Sequence, residues 1–472
     1  MNNRLEVSEH SRMMQIDDDS YVIWNRFFPS ILKLNKAGQA FIKNFKRNNR
    51  TKINDKYKSL IEMLLQYHIL FRGCSDRSKE NFVKLVHRLF AKVDGNANEF
   101  YKNGTPYSRL VITNDSCNLE CPYCVNKYKN SYSSAAVQYG EKLTLLNRIV
   151  DQFFLRISKN GNEGTKISFN GGEIILEWPL IKAMITRISE KYGNVKIEYS
   201  LNTNMTLMTE EIAKFLNRHN FKVYISIDGY KEAHDKTRKY HNGAGTFDDI
   251  IKGLEIFRTY NKNYLIKGFQ GTIDNIDGFN PREVYEMKRY GFTEARLAPN
   301  LLNVSEVDAK KKAQLQGRFI DLNLENSFKV TEMYFRNMTK LINNDRYYLY
   351  FNCKGLSAYP DIDLSFNLNT LRMSQLCSYV HLASLPFKDM DYDIYSPKLW
   401  KRSYDFIFER IESLFENCMD CDLIGICRGG CIYTGLDKEN KLNKSACIYQ
   451  KELWKIFLEK IYNNSEASKE MN

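Results

Sequence analysis

The chain has 472 residues, 43% hydrophobic and 26% charged, with a formal net charge of +13. That length exceeds one ordinary core and suggests about three domains, and the composition fits a globular protein rather than a disordered one. No stretch approaches the ~20 apolar residues of a membrane span, and Met1–His10 lacks an export signal, so a cytoplasmic protein is expected. Lys and Arg are scattered except in Lys43–Arg50. RNA binders cluster their basic residues among aromatic platforms, so the charge argues against nucleic acid and fits an acidic peptide partner.

Residues 1–75 read as a unit of their own. Tyr21–Trp24 and Ser30–Leu34 are β-rich runs around Phe27-Phe28-Pro29, consistent with a hairpin. Lys36–Phe45 and Asp55–Gln66 carry helical periodicity, and Tyr67–Phe71 closes the unit as a strand. The order suggests a winged-helix-like module. Tyr21–Phe71 is similar to the leader-peptide recognition domains of peptide-modifying enzymes; a plain folding cap is the alternative. A helical linker is expected over 76–104.

From Ser108 the pattern alternates strand and helix, as in parallel βαβ units. Strands are predicted at Arg109–Thr113, Lys166–Phe169, Lys196–Leu201, Lys222–Ile227, Ile266–Thr272 and Ala295–Ala298, with helices such as Thr209–His219 and Thr246–Thr259 between. Six units over 105–305 put the polar residues at strand C-terminal ends, where such folds bind ligands. A helix-rich connector follows over 306–345. Residues 346–472 are turn-rich and cysteine-rich until a closing helix near Gln450–Tyr462.

Ten of the eleven cysteines fall in two spaced groups, which points to metal clusters rather than disulfides; the lone Cys74 reads as a buried thiol. The first group is Cys117, Cys121 and Cys124, a C-x3-C-x2-C run just after a predicted strand. Three close thiolates suit three irons of a [4Fe–4S] cube and leave the fourth iron open. A partial zinc knuckle is the alternative, but zinc sites pair such cysteines with a second pair nearby, and none lies within about forty residues. The run, with Tyr123 before its third cysteine, resembles the signature of the radical SAM superfamily. That resemblance implies a partial (β/α)6 barrel. It also implies that the open iron chelates S-adenosylmethionine (SAM) and that SAM cleavage yields a 5′-deoxyadenosyl radical.

Further motifs extend the resemblance. Asn170-Gly171-Gly172-Glu173 ends the second strand; glycines let backbone approach a ligand closely. It matches the family's Gly-Gly-Glu, which implies that Gly171, Gly172 and Glu173 hold the SAM amino group. Asn202-Thr203-Asn204 and Ser226-Ile227-Asp228-Gly229 end the next two strands with short polar side chains. By resemblance to radical SAM enzymes that carry a SPASM domain, Ser226 and Arg238 contact SAM, with Asn202, Asp228 and Tyr123 alongside. An arginine suits the SAM carboxylate because its fork binds bidentately.

The second group is Cys353, Cys377, Cys418, Cys421, Cys427, Cys431 and Cys447. Its order resembles the SPASM arrangement of two auxiliary [4Fe–4S] clusters, three clusters in all. The resemblance implies an outer cluster on Cys418, Cys421, Cys427 and Cys447, and an inner one on Cys353, Cys377 and Cys431. The gap from Cys353 to Cys377 is longer than that pattern, Arg372 replaces an expected glycine, and an eighth cysteine is missing upstream of Cys353. Two structural zinc sites are the alternative, but seven ligands leave one site short.

Together these features imply a SAM-dependent iron–sulfur enzyme that modifies a ribosomally made precursor peptide bearing a leader, with a flavodoxin or ferredoxin as reductant. A thioether from cysteine sulfur to carbon is the expected product, because an open auxiliary iron would suit a thiolate. Epimerisation, carbon–carbon cross-linking, formylglycine formation on a sulfatase and RNA modification stay open. No general acid or base stands out among the seven histidines.

Overall fold

The computed structural model describes residues 5–28, 31–47, 58–72, 75–88, 91, 109–124, 137–159, 164–261, 266–332, 363–375, 384–427 and 441–460. The N-terminal unit comprises β1 (Leu5–Val7), β2 (Ser11–Gln15), β3 (Ser20–Asn25), β4 (Ile31–Asn35), α1 (Lys36–Arg47), α2 (Lys58–Gln66) and β5 (Leu70–Arg72). The expected hairpin is β3–β4, and β2 joins it as a third antiparallel strand. β5 pairs instead with β1. Ile23 and Leu34 from the sheet, Ile42 and Phe45 from α1, and Ile61 and Leu64 from α2 form its small core.

The repeat that follows is β6 (Arg109–Asn114), α3 (Tyr139–Lys159), β7 (Gly164–Gly171), α4 (Trp178–Lys191), β8 (Lys196–Thr203), α5 (Glu210–Arg218) and β9 (Lys222–Ser226). It continues with α6 (Lys231–Thr237), α7 (Phe247–Tyr260), β10 (Gly268–Ile273), α8 (Pro281–Tyr285), β11 (Glu294–Pro299), α9 (Glu306–Glu325) and β12 (Lys329–Thr331). β6 to β11 are the six predicted strands, each parallel to its neighbour, and β12 extends the run. Local chemistry sets the helix starts. Thr209 accepts from the Ile212 N–H at the start of α5, and Ser305 accepts from Asp308 N–H at the start of α9.

One face of this sheet is apolar. Ile167, Phe169, Leu201, Val223, Ile225, Phe269 and Leu297 pack against Phe153, Met184, Leu216 and Leu254 of the helices. Full burial of such a side chain contributes about 1.5–3 kcal/mol. Strand alternation then sends Ser168, Ser200, Asn202, Ser226, Gln270 and Thr272 to the other face. Two pairs bond there: the Ser168 and Ser200 hydroxyls (2.7 Å), and Gln270 Nε2 donating to Asn202 Oδ1 (2.9 Å).

The C-terminal region supplies β13 (Asp363–Asn367), β14 (Arg372–Gln375), β15 (Leu385–Pro386), α10 (Pro397–Cys418), α11 (Ile424–Cys427) and α12 (Lys444–Lys460). β13 adds to the far side of β6 in parallel register, and β14 and β15 turn back antiparallel, making a ten-stranded sheet. The closing helix begins earlier than its periodicity suggests, because Asn443 Oδ1 accepts from the Ala446 N–H and caps it. The N-terminal sheet docks on this region. Val22, Trp24 and Ile31 share a core with Tyr449, Leu453 and Trp454 of α12, and Phe27 and Phe28 pack around Cys418 and Ile424.

Candidate active site

The cysteine loop leaves the C-terminal end of β6 and is clamped by the end of β7. Gly172 N–H donates to Asn114 O (2.9 Å) and Glu173 N–H donates to Ser116 O (2.9 Å). The approach leaves no room for side chains. A Cβ on Gly171, whose φ is +122°, would lie 2.2 Å from Asn114 O, and one on Gly172 would lie 2.1 Å from Ser116 O. The two glycines thus bring the β7 end against the backbone of the loop, whereas the motif suggested a close approach to a ligand. The buried Asn114 completes the clamp, with Nδ2 donating to Glu173 O (3.1 Å) and Ser116 O (3.2 Å).

Within the loop, Cys121 is buried and Cys117 and Cys124 are half-buried. Leu119 N–H donates to Cys117 Sγ (3.4 Å). Burial pushes the Cys117 thiol up to about 11 and Cys121 up to about 12, and the neighbouring cysteines add to the rise. Such thiols are poor nucleophiles on their own and gain by giving their protons up to a metal. Among the described residues, no three Cys, His, Asp or Glu side chains close around a single ion. A cube asks for one thiolate on each iron, a donor set this loop fits.

Glu173 is fully buried. Its Oε1 accepts from Ile175 N–H (3.1 Å) and Thr203 Oγ1 (2.9 Å), and its Oε2 accepts from Asn204 N–H (2.7 Å). Burial raises its carboxyl to about 7, against the lowering effect of those donors. The glutamate thereby fastens the end of β8 to the end of β7. Asn204 continues the chain of contacts: its Nδ2 donates to Asn118 Oδ1 (2.9 Å) and its Oδ1 accepts from Thr206 N–H (3.0 Å).

Asp228 anchors the other side. Its Oδ1 accepts from Thr272 N–H (2.8 Å) and lies 3.0 Å from Arg238 Nε; its Oδ2 accepts from Thr237 Oγ1 (2.9 Å) and from the Tyr123 hydroxyl. Burial works to raise this carboxyl, but Arg238 and the hydrogen bonds hold it below the usual range. Burial pushes the Tyr123 phenol well up. Removing one partner of a buried pair such as Asp228–Arg238 costs about 3–5 kcal/mol. Arg238 also faces the Tyr123 ring at 5.7 Å and is close enough to both Cys117 and Cys121 to lower their pKa. His234, fully buried, accepts from Asp228 N–H through Nδ1 (3.2 Å). Its Nε2 therefore carries the proton and donates to Thr246 Oγ1 (3.0 Å), which donates to Arg238 O (2.9 Å).

Tyr123, Gly171, Gly172, Glu173, Asp228 and Arg238 are thus gathered around one loop. Asn202 and Ser226 lie on the polar sheet face, Asn202 tied to Gln270. Asn114, Asn118, Thr203, Asn204, His234 and Thr237 are structural partners that residue spacing did not single out. Thr203 and Asn204 were visible only as part of the strand end Asn202-Thr203-Asn204.

The second cysteine group is partly in view. Cys421 N–H donates to Cys418 O (2.9 Å), and Leu423 N–H donates to Cys421 Sγ (3.5 Å). Burial pushes Cys418 to about 12, with Cys447 and Cys421 adding to it. Burial likewise pushes Cys447 to about 11, with Cys421 adding. Cys418, Cys421 and Cys447 are therefore neighbours, and Cys427 closes α11 with its N–H on Leu423 O (2.7 Å). Cys353, Cys377, Cys431 and Cys74 lie outside the described residues.

Residues 111–291 match the Radical SAM superfamily. The chain is 25% identical to "Radical SAM cyclopropyl synthase TigE" of Paramaledivibacter caminithermalis, over 97% of this chain and 92% of that one. It is 35% identical to the "Cysteine-type anaerobic sulfatase-maturating enzyme" of Clostridium novyi, over 32% of this chain and 40% of the relative. The solved structure "Native anSMEcpe with bound AdoMet" covers 77% of this chain and 100% of its own at 22% identity, with a TM-score of 0.55, a likeness of fold. The chain therefore carries a radical SAM domain and is a radical SAM enzyme.

Proposed function

We propose that this enzyme takes a hydrogen atom from a ribosomally made precursor peptide and closes a new bond in it. The observation that carries the reading is the convergence of Tyr123, Glu173, Asp228 and Arg238 on the Cys117–Cys124 loop. Relatives named for sulfatase maturation support a polypeptide substrate. When bound on Cys117, Cys121 and Cys124, a [4Fe–4S] cluster supplies the electron that splits the sulfonium of SAM. The chain's own residues do the positioning. Gly171 and Gly172 hold the β7 end against the loop, Glu173 locks the β8 end, and Asp228 holds Arg238 beside the cysteines, where its remaining guanidinium nitrogens suit the SAM carboxylate. Ser226 and Asn202 offer polar groups on the same sheet.

The N-terminal unit is assigned to leader capture. A cavity of about 340 Å3 where that unit meets residues 75–81 is lined by His68, Arg72, Asp76 and Arg77, giving an acidic segment two guanidinium groups beside one carboxylate. Cys418, Cys421, Cys427 and Cys447 are assigned to an outer auxiliary cluster, a sink for the electron left when the new bond forms. The inner set Cys353, Cys377 and Cys431 favours a thioether product. The cyclopropyl synthase matching nearly the whole chain favours a second reading, carbon–carbon closure.

The test is anaerobic reaction with SAM, dithionite and cysteine-bearing peptides that carry an acidic leader, followed by mass spectrometry. A product lacking two hydrogens with no free thiol is the thioether, and the same loss with an alkylatable thiol is carbon–carbon closure. Cys121→Ala should abolish 5′-deoxyadenosine formation, and its persistence would sink the assignment.

A further inference from the structure

The cysteine loop is held from a second side by a turn that lies outside the matched radical SAM segment. Asn367 ends β13, and its Oδ1 accepts from the N–H groups of Asn369 and Thr370 (both 3.0 Å), folding a tight turn. The fold presents the turn to the residues just before Cys117. Asn367 Nδ2 donates to Asp115 Oδ1 (2.9 Å). Asn369 Oδ1 accepts from Asp115 N–H (2.8 Å), and its Nδ2 donates to Ser116 Oγ (3.0 Å). Leu368 N–H donates to Thr113 O (2.8 Å), so the turn follows the loop from the last strand residues onward.

Ser116 is thereby held between two structures, its carbonyl by Glu173 N–H and its hydroxyl by Asn369. The next residue is Cys117. We infer that Asn367 and Asn369 are positioning residues of the SAM-binding loop, so that the C-terminal region sets where Cys117 stands and how a cluster on it receives SAM. The inference rests on the reading of Cys117, Cys121 and Cys124 as cluster ligands. A turn serving only its own hairpin would need the bonds within 367–371; the three side-chain bonds to Asp115 and Ser116 go elsewhere.

The experiment uses the full chain, reconstituted with iron and sulfide without oxygen. It records iron content and the electron paramagnetic resonance spectrum of the reduced protein during titration with SAM. Asn369→Ala removes two bonds to the loop, and SAM binding read from the spectrum should weaken about tenfold, the scale of two lost hydrogen bonds. Asn369→Asp keeps the acceptor for Asp115 N–H and accepts from the Ser116 hydroxyl, so it should restore most of the wild-type titration. Ser116→Ala, which removes one bond and leaves the turn whole, should give an intermediate shift even if Asn369→Ala folds poorly. Wild-type titrations in both alanine variants would overturn the positioning role. A wild-type protein with iron but no SAM-responsive signal would instead overturn the cluster reading, and this inference with it.

Discussion

Asp228 organises more of the site than any other side chain. It takes hydrogen bonds from Tyr123, Thr237 and Thr272 and sets Arg238 beside the cysteines. Its N–H also fixes the tautomer of His234. That histidine yields a pH prediction. Burial lowers His234 from 6.5 to about 4, so the folded protein refuses a proton that the unfolded chain accepts. The contribution is intact above about 6.5 and is lost as pH falls toward 4, at up to about 1.4 kcal/mol per pH unit. His234→Gln should lose melting temperature less steeply between about pH 7 and pH 5 than wild type. Parallel slopes would show that His234 titrates normally. The buried Glu173 carries the opposite slope and is common to both proteins, so it cancels in the comparison.

Among the elements, the seam between the N-terminal sheet and the second cysteine group packs backbone directly on backbone. Gly425 N–H donates to Arg26 O (2.7 Å), and a Cβ on Gly425 would lie 2.5 Å from the Phe27 carbonyl carbon. Trp24 Nε1 donates to Asp422 O (3.0 Å), and Arg12 pairs with Asp422 (2.6 Å). Gly425→Val should therefore destabilise the full chain by about 1–3 kcal/mol, the usual cost of overpacking. Thermal unfolding followed by tryptophan fluorescence reads it directly, since Trp24 and Trp454 meet edge to face across the seam. An unchanged melting curve would mean that the seam yields without cost.

For the whole molecule, the sheet joins what sequence order separates. β13 lies beside β6, so the C-terminal region borders the cysteine loop directly, and the N-terminal unit rests on α11 and α12 of the same region. No helix among the described residues is long and apolar enough to cross a membrane. The assembly predicts its metal content. Anaerobic reconstitution should give about twelve irons, falling to about eight in a Cys117/Cys121/Cys124→Ala variant, as expected of three cubes. About four irons falling to none would leave the radical SAM site and remove the auxiliary clusters and the thioether reading.

The sequence by itself determined the six parallel strands, the cysteine loop after the first and the Gly171-Gly172-Glu173 turn after the second, because these depend on local periodicity and spacing. It also singled out Asp228 and Arg238 as site residues. Only the tertiary structure decided their partners. Glu173 spends both oxygens on protein donors, Asp228 serves as the hub, and Asn369, more than two hundred residues beyond the loop, bonds to Asp115 and Ser116. β13 itself is five residues long and becomes a strand by pairing with β6 on one side and β14 on the other. Hydrogen bonds between distant residues leave no period in the chain, so they become visible only when folding brings donor and acceptor together.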